Sequence, residues 1–315
     1  MNSMNENAWK ILLYRQSLFE QVGMLSEIKP CGTWVIDAGV ACSGGFLAGQ
    51  IMAEVGIAGL GSVRVEQGSL LDMPWPWVTI DSDQPLLSCF LCQSANWPVK
   101  KDTFFAMGSG PACLLNADLH IGQAFEYVEK SDHAVLVMET RTIPDDEVCT
   151  YIAKECGVQP ENLAILVAPT SCVSGSVQIA ARSLETGLHK LHQLGFDLSL
   201  VRSSMGRCPI SAPTGDDFTA LGRTNDMVFF ASQVWMAVAK TSDAQLAELA
   251  TKIPSCSSPA YGKPFIEILK QAGDFYAIDP GLFAPAEVTL TNIETGHVFH
   301  GGGMDGDRLQ QVLYA

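Results

Sequence analysis

Apolar positions along the chain switch between two periods, and the switches predict alternating strands and helices. Leu163-Ala-Ile-Leu-Val-Ala168 is an unbroken aliphatic run, the pattern of a buried strand. Residues 169–175 interrupt it with small, turn-forming and helix-capping types. Over 176–194 the period becomes helical: Val177, Ala181, Leu184, Leu188 and Leu191 form one stripe, and Gly195 suits the C′ position. Strands predicted at 134–139 and 198–201, with a helix over 144–156, extend this to a β-α-β-α-β run. Such a run predicts a parallel sheet with right-handed crossovers and a ligand edge at the carboxyl ends of its strands.

The same reading predicts helices over 4–23, 47–54 and 85–94, and strands at 33–37, 62–66, 77–81 and 103–107. Pro74-Trp-Pro-Trp77 reads as a rigid turn. Gly108-Ser-Gly-Pro-Ala112 opens a helix running through Tyr127, with Pro111 at its first position and free N–H groups suited to an anionic or carbonyl group of a ligand. Further on, 203–214 reads as a loop, 216–221 as a short helix and 227–239 as one long strand or two. Helices at 243–250 and 263–272, a hairpin around 294–296 and a terminal helix at 305–314 close the chain. The fold class is α/β, with two α/β domains built on mixed or parallel sheets. Residues 1–130 with 227–315 are expected to form the larger domain, and 131–226 the smaller one carrying the central helix.

Composition narrows the function. A chain of 315 residues, 47% hydrophobic, is large enough for two domains and is not a disordered polymer. Without a window of about twenty apolar residues, no membrane-spanning helix is expected. The start Met1-Asn-Ser-Met-Asn-Glu-Asn lacks a basic segment followed by an apolar core, which points to the cytoplasm. A formal net charge of −15 argues against a nucleic-acid partner, which would need a basic face; it serves solubility or favours a cationic substrate.

Candidate chemistry is sparse. The lone C-x-x-C, Cys89-Phe-Leu-Cys92, lies in an apolar segment and reads as core thiols, and neither cysteines nor histidines show zinc spacing. His189 and His192 are three apart without a third ligand nearby, and read as supporting or surface residues. The glycine-rich turn over 38–46 matches neither dinucleotide- nor phosphate-loop spacing, leaving ligand contact and tight packing equally open. Arg182 and Glu185 are neighbours on the predicted helix. By spacing alone they are either a general base with its orienting cation or a solvated ion pair worth a few tenths of a kcal/mol.

The text around that pair tips the balance. Ala168-Pro-Thr-Ser-Cys-Val-Ser-Gly-Ser-Val-Gln-Ile-Ala-Ala-Arg-Ser-Leu-Glu-Thr-Gly-Leu-His-Lys-Leu-His192 resembles the central motif of methenyltetrahydromethanopterin cyclohydrolases. Further ordered matches lie before it at 49–61 and 104–112 and after it at 221–226, 258–265 and 279–288. The resemblance implies hydrolysis of a 5,10-methenyl bridge to an N5-formyl pterin, without metal or other cofactor, in an oligomer that is commonly trimeric. It implies a substrate cleft between two α/β domains, Glu185 as base and Arg182 as its assistant. The pterin contacts expected are Ser109 and Gly110, with Arg223, Thr224, Asn225 and Asp226 read as a turn lining the cleft. Where the family commonly has a further Arg after the Gly-Ser-Gly-Pro-Ala run, this chain has Cys113. Two rivals are a thiol-dependent hydrolase using Cys172 with His189 or His192, and a non-catalytic pterin-binding protein of the same fold.

Overall fold

The computed structural model describes residues 3–94, 97–274 and 277–314. In chain order the elements are α1 (Met4–Arg15), β1 (Leu25–Ile28), β2 (Trp34–Asp37), α2 (Phe46–Gly56), β3 (Ser62–Leu70), β4 (Met73–Ser82), β5 (Trp97–Lys101) and β6 (Phe104–Ser109). Then come β7 (Ala134–Glu139), α3 (Asp146–Glu155), β8 (Leu163–Ala168), α4 (Val173–Ala180), α5 (Ser183–Gln193), β9 (Val201–Pro209) and α6 (Asp217–Ala231). The chain ends with β10 (Gln233–Val238), α7 (Asp243–Lys252), α8 (Phe265–Ala272), β11 (Glu287–Asn292), β12 (Val298–Gly302) and α9 (Gly306–Tyr314). It divides into two compact α/β units, residues 1–61 with 87–178 and residues 62–86 with 179–315.

The first unit is a six-stranded mixed sheet in the order β1-β2-β8-β7-β6-β5. Its centre, β2, β8 and β7, is parallel and buried on both faces. Alternation divides the side chains between two cores. Leu136, Met138, Ile165 and Val167 pack with Val148 and Ile152 of α3, while Val135, Val137, Ala164 and Leu166 pack with Leu12 of α1 and with Ile51 and Val55 of α2.

The second unit is a six-stranded sheet in the order β12-β11-β10-β9-β4-β3, antiparallel except between β10 and β11. Its inner face carries Val78, Ile80, Val234, Met236, Val288 and Leu290, all buried. Helix α5 packs on β9 and β10, and α7 on β11 and β12. On the other face, Met205 and Trp235 stay exposed.

Several expectations need correction. The expected division at 130 and 226 cuts hydrogen-bonded structure, because β7 pairs with β6 as well as with β8. The β-α-β-α-β run stops after β8: the strand that follows joins the other sheet, antiparallel to β10 and β4. The expected loop over 203–214 is largely β9, and Pro74-Trp-Pro-Trp77 lies inside β4. Both prolines sit where β4 extends beyond its pairing with β9, so no ladder bond on that side needs their missing N–H. The expected strand over 227–239 is the buried second half of α6 followed by β10. The expected helix through Tyr127 is instead three separate 3-10 turns. Asn5 takes the Pro111 carbonyl and the Asn116 side chain accepts from the Asp118 amide, so the α ladder has no continuation.

Candidate active site

The predicted helix over 176–194 is two helices. It breaks at Ala181-Arg182, where the Arg182 amide donates to the Ile179 carbonyl three residues back. Arg182 thereby becomes the N-cap residue of α5, and Glu185 lies in the first turn of the helix. The positive end of the helix dipole favours a carboxylate at that position. At its far end, the Gly195 amide donates to the His192 carbonyl and the Phe196 amide to that of Leu191, the two bonds of a Schellman motif. The predicted stripe of Val177, Ala181, Leu184, Leu188 and Leu191 is fully buried.

Three contacts fix α5. Gly206 of β9 brings the sheet so close that a Cβ there would lie 2.9 Å from Leu184 Cβ, Leu184 N and Ser183 Oγ. Gly187 does the same for β10, where a Cβ would stand 2.9 Å from Met236 Cε. Lys190 Nζ donates to the Gly281 carbonyl at 2.8 Å, and burial lowers its pKa, with Asp279 opposing that shift. None of these three residues stood out in the sequence; close packing between distant segments leaves no local signature beyond the presence of small residues.

Glu185 is the chemical centre of this frame. Its side chain is only 9% exposed and that of Arg182 12%, so they are not a solvated surface pair. Arg182 Nη2 lies 3.9 Å from Glu185 Oε2, an ion-pair separation rather than a hydrogen bond. The other oxygen, Oε1, lies 3.4 Å from Nε2 of His189, one turn further along α5. A buried carboxylate flanked by a permanent cation and an imidazole can accept a proton and give it back. Arg182 cannot be the base. His192 is exposed.

The segment read as a turn at 222–226 is the middle of α6. Thr224 Oγ1 donates to the Ala220 carbonyl and Asn225 Nδ2 to the Leu221 carbonyl. Asp226, buried, accepts from the Phe265 amide at 2.7 Å and so ties α6 to the start of α8. Arg223 is partly exposed on the same helix.

In the first unit, Ser109 ends β6 and Gly110 has φ +94°, the left-handed region that glycine favours. Because β6 runs antiparallel to β7, these two residues lead away from the edge where β2, β7 and β8 end. That edge is polar: Glu139 accepts from Gln178 and Thr170, and Arg141 donates to Ser171. Asp37 there accepts from the amides of Gly39, Val40 and Ala41, and Ser174 Oγ accepts from that of Gly45. The glycine-rich turn therefore spends these N–H groups internally. Cys89, Cys92 and Cys113 are buried thiols, and burial pushes Cys92 well above the usual thiol range. Among the described residues, no three His, Cys, Asp or Glu side chains converge as a metal site.

A profile of the cyclohydrolase (MCH) family matches residues 3–313. The methenyltetrahydromethanopterin cyclohydrolase of Methanospirillum hungatei is 38% identical over 309 residues, covering 98% of this chain and 97% of its own. That of Methylobacillus flagellatus is 41% identical over 290 residues, covering 91% of this chain and 88% of its own. With a family match over residues 3–313 and relatives covered to about nine-tenths or more of both chains, the chain belongs to the cyclohydrolase (MCH) family.

Proposed function

We propose that this chain hydrolyses the 5,10-methenyl bridge of a tetrahydromethanopterin-type carrier to the N5-formyl form, reversibly, with Glu185 as general base. The observation that carries the reading is the buried Glu185 carboxylate, held in the first turn of α5 between Arg182 and His189. The bridge carbon lies between two nitrogens that share a positive charge, so it is already electrophilic. What it lacks is a nucleophile, and a carboxylate supplies one by taking a proton from water as the oxygen attacks. The same carboxyl then protonates N10 as the C–N10 bond breaks. Arg182 orients the carboxylate and offers it a fixed positive charge.

Ser109, Gly110 and Arg223 stand as candidates for pterin contact, while Thr224, Asn225 and Asp226 support α6. The reading includes a cytoplasmic homo-oligomer, trimeric by family resemblance. No helix among the described residues is long and apolar enough to cross a membrane, which accords with it. Neither rival gains support: Cys172 is half-buried with the Gly175 amide against its sulfur, and a binding protein needs no buried base.

The test is the decay of the methenyl chromophore, with methenyl-tetrahydrofolate assayed beside methenyl-tetrahydromethanopterin. Glu185→Gln keeps size and hydrogen bonding but cannot take the proton. Its kcat should fall by roughly two to four orders of magnitude with KM nearly unchanged. Folded Glu185→Gln protein with kcat within about threefold of the parent, far short of a general base's contribution, would defeat the proposal.

A further inference from the structure

We infer that His189 is the proton exit of this site, a positioning residue that returns Glu185 to its ionised form once in every turnover. The inference rests on the cyclohydrolase reading above. Charge balance requires an exit. The methenyl substrate is a cation and the formyl product is neutral, so substrate plus water gives product plus one free proton. Water brings two protons. The first leaves as the oxygen bonds to the bridge carbon; it passes to Glu185 and then to N10, which keeps the electron pair of the broken C–N bond. The second is on the hydroxyl of the adduct. It must leave as the C=O bond forms, and no atom of the product takes it. Glu185, deprotonated again by its gift to N10, is the group placed to receive it, and must lose it before the next substrate reacts.

Burial makes that last step a structural problem. One Glu185 oxygen faces Arg182, which has no lone pair to accept a proton. The other faces Nε2 of His189 at 3.4 Å. The next residue, Lys190, is committed to the Gly281 carbonyl. His189 is 36% exposed, so one end of its ring adjoins the buried carboxyl while the side chain reaches water. A neutral imidazole takes a proton on one nitrogen and releases one from the other, and it does so near neutral pH better than any other side chain. The i,i+4 spacing on α5 places donor and relay on one face of the helix.

The experiment is steady-state hydrolysis by His189→Ala in dilute buffer, with and without added imidazole. Expected are a fall in kcat of about tenfold or more, a KM within about twofold, and recovery of most of the lost rate as imidazole stands in for the missing relay. A merely structural histidine would give a loss that no small buffer repairs. His189→Gln, closer in size and polarity, repeats the measurement if the alanine variant folds poorly. A kcat within about threefold of the parent, or a loss unmoved by imidazole in a folded variant, overturns the relay. Glu185→Gln, run alongside, separates the two levels. An active Glu185→Gln enzyme removes the base, whereas an inactive, imidazole-insensitive one beside a normal His189→Ala removes only the exit.

Discussion

Gly206→Ala tests whether the position of Glu185 is set by sheet packing. Gly206 lies in the middle of the second sheet, paired with Ile80 on one side and Val234 on the other, so β9 cannot retreat without breaking two ladders. An added Cβ would stand 2.9 Å from three atoms of the first turn of α5, and ordinary contact begins at 3.4 Å. The helix must therefore withdraw by about 3.4 − 2.9 = 0.5 Å, and it carries Glu185 with it. A displacement of 1 Å at a reacting group costs about a hundredfold in rate, so half of that predicts a loss in kcat of roughly tenfold. Overpacking of this kind costs about 1–3 kcal/mol. In a protein of this size that lowers Tm by roughly 1.5–5 °C. Gly187→Ala is the internal control on the same helix. Its tightest neighbour is the terminal methyl of Met236 at 2.9 Å, a flexible side chain, and the next, Val234 Cγ1, stands at 3.3 Å, so kcat should fall by less than for Gly206→Ala and stay within about threefold of the parent. Chromophore decay gives kcat and a thermal melt gives Tm. If Gly206→Ala matches the parent in both, or if Gly187→Ala is the more damaging change, the helix is not held by this contact.

Two further outcomes are expected. Burial pushes Asp226 from its ordinary 3.8 up to about 7, against the lowering effect of the Phe265 amide and with help from Glu267. The folded state thus holds a proton that the unfolded chain has lost, and stability falls as pH rises from about 4 to about 7. Asp226→Asn removes this titration but keeps an acceptor for Phe265, so urea unfolding across that window should show a shallower decline; equal slopes in variant and parent would contradict it. Full activity is expected after exhaustive chelation, given that no cluster of ligand-type side chains converges among the described residues; loss on chelation, restored by one particular metal, would reveal a site assembled elsewhere.

The fold was legible where the pattern is local. Aliphatic β8, the apolar run that opens β7, the capped amphipathic α3 between them, and the β11–β12 hairpin all follow from period and punctuation. It was illegible where tertiary packing overrides the pattern. Residues 203–209 look like part of a loop, yet β9 is flanked by β4 and β10, so Ser204, Gly206 and Cys208 are buried by neighbouring strands rather than by a hydrophobic pattern of their own. Met227-Val-Phe-Phe-Ala231 looks like a strand because a helix buried all round has no polar face to reveal its period.

The candidate site divides along the same line. The three-residue step from Arg182 to Glu185 predicts that they are neighbours, and they are. Spacing is silent on burial, and burial is what separates a base from a surface ion pair. The helix that carries Glu185 is set by Gly206, where β9 approaches the first turn of α5, and by Lys190 reaching the turn at Gly281. The break at Arg182 also escapes the sequence, because the apolar stripe continues through it without a phase change. Yet the break puts Glu185 in a first turn rather than mid-helix, where the partial charges of an uninterrupted α ladder would cancel. The pair is thus specified twice: by a short motif that a reader of the sequence can see, and by a set of contacts from distant strands that only the folded chain displays.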